Sequence, residues 1–135
     1  MSAVAPEGAS IEIVTPADGA TVSGARDGLV PVQVELAAMG VKVGTYSECA
    51  EATGHFQLAV EAINVPDCGH TSSRRQFHEL RNGAKQLTLM LEPPGRYSLT
   101  ATFVAGNGAR YDELVAEAQI TLVGALIDAG EARCF

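Results

Sequence analysis

Leu87-Thr88-Leu89-Met90-Leu91-Glu92-Pro93-Pro94-Gly95-Arg96-Tyr97-Ser98-Leu99-Thr100-Ala101-Thr102-Phe103 decides the fold class. Leu87, Leu89 and Leu91 alternate with Thr88, Met90 and Glu92, and Tyr97, Leu99, Ala101 and Phe103 alternate with Ser98, Thr100 and Thr102. A period of two sends one set of side chains to an interior and the other to water, the pattern of a half-buried strand. Pro93-Pro94-Gly95 stops the first strand, because proline has no amide to donate and glycine turns the chain.

The same pattern recurs outward from this pair. Ile11 and Ile13 alternate before the turn Thr15-Pro16-Ala17-Asp18-Gly19. Val30, Val32, Val34 and Leu36 alternate with Pro31, Gln33 and Glu35; Pro31 requires an edge position or an amide side facing solvent. Phe56, Leu58 and Val60 alternate with His55, Gln57, Ala59 and Glu61. Gly106-Asn107-Gly108 marks a reversal before Leu114, Ala116, Ala118, Ile120 and Leu122. Glu-Leu-Val-Ala-Glu-Ala within Asp112–Leu122 has helix propensity, but the β-branched run Gln119-Ile120-Thr121-Leu122-Val123 and the need for a closing strand favour extended chain. Asn64–Ser73 reads as loop. Six or seven strands with turn signals between them predict an all-β fold, an immunoglobulin-like antiparallel β-sandwich of about seven strands. Tyr97, just after a Gly turn, resembles the tyrosine-corner region of such sandwiches. Residues 10–123 form the sandwich in this reading, residues 1–9 a flexible N-terminal segment, and residues 124–135 a tail that packs by Leu126, Ile127 and Phe135 or serves as an attachment arm.

Composition bounds the function. The chain has 135 residues, one domain by length, with 47% apolar and 19% charged residues. Nine Lys+Arg against sixteen Asp+Glu give a net charge of -7, which repels a phosphate backbone and disfavours nucleic acid as a partner. No apolar run approaches the ~20 residues of a membrane helix. The start Met1-Ser2-Ala3-Val4-Ala5-Pro6 has no basic or apolar leader, so the chain is either cytoplasmic or the mature form of an exported protein. Cys49, Cys68 and Cys134 are an odd set. A Cys49–Cys68 disulfide would close a loop of about 20 residues and contribute on the order of 3 kcal/mol; the alternative is three reduced thiols.

Several segments together resemble a bacterial family of exported domains of unknown function. They are Thr15-Pro16-Ala17-Asp18-Gly19-Ala20-Thr21-Val22, the valine-rich strand, Met39-Gly40-Val41, and Leu89-Met90-Leu91-Glu92-Pro93-Pro94-Gly95. The family's Gly-His-His-His-Leu strand reads here Gly54-His55-Phe56-Gln57-Leu58, and its second, His-containing turn reads Gln76-Phe77-His78-Glu79-Leu80. The resemblance runs over residues 11–123 and implies an immunoglobulin-like sandwich in a periplasmic or extracellular setting. Of the family's histidines, His55 and His78 are retained.

These residues define two functional readings. The first is a non-catalytic exported module for binding or structural assembly, with a protein partner or a second copy of itself. Its interaction patch is the basic cluster Arg74, Arg75, Arg81 and Lys85, which holds four of the nine positive charges; a charged solvent face explains the same cluster. The second is a metal-binding protein holding copper or zinc through His55 and His78, with His70 and a carboxylate such as Glu61, Asp67 or Glu79. Solvated histidines are the simpler explanation, since no His-x-His or His-x-x-x-His occurs. His70 beside Thr71-Ser72-Ser73 is not a triad, whose members converge from separate elements, and no Gly-x-Ser-x-Gly elbow is present, so no catalytic residue is assigned. Asp18, Asp27, Asp112 and Glu113 fall in turns without the spacing of a calcium loop.

Overall fold

The computed structural model describes residues 2–3, 5–23, 30–44, 53–63, 75–80, 83–91, 95–105 and 109–123. Ten strands run through them: β1 Ser2–Ala3, β2 Ser10–Thr15, β3 Ala20–Ser23, β4 Val30–Met39, β5 Lys42–Val43, β6 Thr53–Ile63, β7 Arg75–Glu79, β8 Gln86–Leu91, β9 Gly95–Val104 and β10 Arg110–Val123. No helix occurs among the described residues. The stretch with helix propensity is β10, as the alternation requires.

The strands form two sheets. In the larger, β10, β9 and β6 are the central antiparallel strands; β7 and β5 flank β6, and β1 and β3 both run parallel to β10. The smaller sheet has the order β2-β4-β8, all antiparallel. The two sheets pack face to face as an immunoglobulin-like sandwich. Val30, Val32, Val34, Leu36, Leu89 and Leu91 come from the small sheet, and Phe56, Leu58, Val60, Tyr97, Leu99, Ala101, Phe103, Leu114, Ile120 and Leu122 from the large one; all are buried in a single core. Phe103 meets the edge of Phe56 at 5.2 Å and 72°, and Tyr111 at 5.7 Å.

Hydrogen-bond parity explains Pro31. The Leu36 amide donates to the Lys85 carbonyl at 2.8 Å. Backbone groups alternate sides along a strand, so the even-numbered residues of β4 face β8 and Pro31 faces the other way. On that side the pairing with β2 ends at Glu35. The missing amide therefore costs no ladder bond, even though β4 is the central strand of its sheet.

Sequence alternation did not reveal β1, β3, β5 or β7. The first and third are two residues long. Strand β7 lies where the resemblance places a turn. It is an edge strand whose inward positions are Gln76 and His78 rather than apolar residues, so no period of two in hydrophobicity marks it. Ser2–Ala3, inside the expected N-terminal segment, pairs with Arg110 and Tyr111 of β10. The predicted loop over residues 64–73 and the tail over residues 124–135 lie outside the described residues.

Candidate functional site

The polar cluster begins with strand geometry. In β6 the odd-numbered residues Thr53, His55, Gln57, Ala59 and Glu61 share the face that points away from the small sheet. At its N-terminal end this face is closed: Thr53 and His55 are 2% and 1% exposed. His55 lies opposite Val104, itself buried, and the Tyr111 hydroxyl donates to the Thr53 carbonyl at 3.2 Å. Gly54 lies between them, where the backbone of Val104 and the ring of Phe103 leave no room for a side chain.

Strand β7 supplies the acid. Glu79 pairs with Gln57, and paired residues share a face, so its carboxylate meets two of the outward side chains of β6, Gln57 and His55. The Glu79 Oε2 oxygen accepts from Gln57 Nε2 at 2.9 Å and from His55 Nε2 at 3.1 Å. An ionised carboxylate only accepts, which assigns the proton of this contact to His55 Nε2. The side chains are 2% exposed for His55 and 22% for Glu79. The contact is a partly buried, charge-assisted clamp that ties the end of β7 to β6.

The register sends His78 elsewhere. It pairs with Leu58, and Gln76 pairs with Val60, so both point toward the sandwich interior at its rim. His78 Nε2 donates to Gln76 Oε1 at 2.7 Å, and Gln76 Nε2 donates to the Met90 carbonyl at 2.9 Å. Gln76 thereby bridges the edges of the two sheets. His55 and His78 lie on opposite faces of the large sheet, so they do not converge on one ion. Among the described residues no three His, Cys, Asp or Glu side chains gather as a metal site. His70, Cys49, Cys68 and Cys134 lie outside the described residues.

The basic cluster divides in the same way. Arg74 and Arg81 are outside the described residues. Arg75 is an exposed side chain of β7, with its Nε 3.7 Å from the Glu61 carboxylate, a surface pair of little energetic weight. Lys85 precedes β8, whereas Gln76 meets β8 at Met90. Lys85 and Met90 are five residue steps apart, roughly 16 Å of strand at ~3.3 Å per residue. That separates Lys85 from the end of β8 that Gln76, the neighbour of Arg75, meets. Asp18 serves a turn: its Oδ1 accepts the Gln119 amide at 2.8 Å and docks the β2–β3 connection on β10.

Alternation places His55 and Gln57 on one face, and Glu79 is among the candidate carboxylates. Alternation does not join the three, because that contact depends on the β6–β7 register. Replacing Glu79 with alanine removes the acceptor shared by two donors and is expected to cost about 1–3 kcal/mol, while glutamine retains an acceptor oxygen and costs less. Urea unfolding of the two variants checks the order; equal midpoints for alanine and wild type would show that the clamp contributes nothing.

Comparison with known proteins agrees with this architecture. The profile of a family described as Domain of unknown function (DUF4399) matches residues 32–123, and the chain belongs to that family. No curated protein matches it. Among solved structures, a fibronectin(III)-like module of Clostridium thermocellum CbhA superposes with a TM-score of 0.51 at 8% identity, over 85% of this chain and 98% of that one. The PKD domain of human KIAA0319 gives 0.44 at 13% identity, over 98% and 99% of the two chains. An engineered protein gives 0.49 at 22% identity over 90% of this chain, which spans 21% of that protein's length. The CbhA likeness is one of fold.

Proposed function

We propose that the chain is a non-catalytic, exported β-sandwich module that works by binding and structural assembly through a sheet edge. Phe77 is the observation that carries this reading. It is 64% exposed at the centre of β7, a strand paired on one side only among the described residues. An exposed phenyl ring on an edge that is unpaired among the described residues is the combination that strand addition uses: backbone groups for affinity, side chains for selection. The His55–Glu79–Gln57 clamp supports the reading, because it holds that edge strand in a fixed place on β6. The exported setting rests on the family resemblance of residues 15–22, 54–58 and 89–95.

Fractionation followed by light scattering tests both halves. The product of the complete gene is expected in the periplasmic or extracellular fraction, and the purified chain is expected to self-associate in both oxidising and reducing buffer. Protein confined to the cytoplasm would remove the exported setting. A monomer in both buffers at the highest attainable concentration would remove assembly.

A further inference from the structure

The geometry points to a second copy of this chain as the occupant of the β7 edge, paired antiparallel about a two-fold axis through Phe77. This inference rests on the assembly reading above and specifies its surface.

Backbone parity comes first. The Leu80 amide donates to the Phe56 carbonyl at 2.9 Å. Groups alternate along the strand, so Gln76 and His78 turn their amides and carbonyls to β6, and Arg75, Phe77 and Glu79 turn theirs outward. Those three residues also present their side chains on the outer face, because they pair with Glu61, Ala59 and Gln57.

The sequence of β7, Arg75-Gln76-Phe77-His78-Glu79, is then self-complementary. An antiparallel pair centred on Phe77 sets Phe77 opposite Phe77 of the second copy. Arg75 comes opposite Glu79 of the second copy, and the exchange is repeated by symmetry, as an isologous interface requires. Each of the three pairs is of the hydrogen-bonded type, since all six residues turn their backbone groups to the shared side. Gln76 comes opposite His78, polar against polar, on the inner face. Moving the axis by one residue sets Phe77 against Arg75 or Glu79 and loses both ion pairs, so charge selects the register. The chain carries a net charge of -7, which opposes unspecific association and leaves this local complementarity as the attraction. Five residues a side make a small interface, so the dimer is weak and forms at high concentration.

Sedimentation equilibrium over a wide concentration range reads the dimer directly. Phe77→Pro removes an outward amide while leaving every bond to β6 in place, so it is expected to give a monomer with an unchanged urea midpoint. Arg75→Glu and Glu79→Lys each set like charges opposite one another and are expected to weaken self-association about tenfold or more, equivalent to about 1.4 kcal/mol. Glu79→Lys also removes the acceptor of His55 and Gln57. Glu79→Ala, which loses the clamp without placing a cation opposite Arg75, is its control and is expected to weaken the dimer less. An equimolar mixture of the Arg75→Glu and Glu79→Lys variants restores both ion pairs and is expected to recover the dimer as a heterodimer. This complementation decides the matter if Phe77→Pro fails to fold. A wild-type dimer that ignores these substitutions, or a mixture that stays monomeric while the wild type dimerises, would overturn the β7 surface and leave assembly standing. A wild-type monomer at the highest concentration would overturn both.

Discussion

Phe103→Ala is expected to lower the unfolding free energy by about 3–5 kcal/mol, the usual cost of deleting a buried phenyl ring. The ring is fully buried and central: it touches Phe56 edge-on, lies against Tyr111 and stands beneath Gly54. Truncation removes dispersion contacts with both aromatics and leaves a void that two hydrogen-bonded sheets close only in part. With domains commonly stable by ~5–15 kcal/mol, this is a large share of the total. Urea unfolding should show a lower midpoint with an unchanged slope. A loss below about 1 kcal/mol would mean that Phe103 does not fill the space between the sheets.

Gly54→Val acts at the same place by the opposite mechanism. A Cβ at residue 54 would stand 2.5 Å from the Val104 carbonyl oxygen and 2.7 Å from the Phe103 ring. The first of these is backbone and cannot swing aside. Relief requires β6 and β9 to separate where His55 pairs with Val104, which also displaces the His55–Glu79 contact. The expected cost is about 3 kcal/mol, at the upper end for overpacking. Amide hydrogen exchange should show faster opening at residues 53–57 than in the rest of β6. Wild-type stability in this variant would show that the close approach of the two strands is not needed.

The two predictions differ in how far they were legible. Phe103 belongs to an alternating run beside Tyr97, Leu99 and Ala101, and its burial follows from period two alone. Gly54 carries no such signal: a glycine before a strand reads as a turn, and only the approach of Val104 from β9 shows that space requires it. Pro31 was legible as a constraint, while the way it is met depended on where β2 ends. The clamp was half legible. His55 and Gln57 share a face by alternation, but Glu79 joins them because β7 pairs with β6 in one register and not in its neighbour. His78 shows the other side of this rule, since a shift of one residue in the strand sends it to the opposite face.

Alternation and proline and glycine turns were enough to determine a two-layer β-sandwich and to name its core, because each strand records in its own residues which face is oily. Which strands lie side by side is not written in any one of them. The tertiary structure decided that β7 exists, that Glu79 rather than His78 meets His55, and that Phe77 stands on an edge unpaired among the described residues. Strand pairing joins residues distant in sequence through backbone groups that every residue carries, so local pattern cannot select the partner.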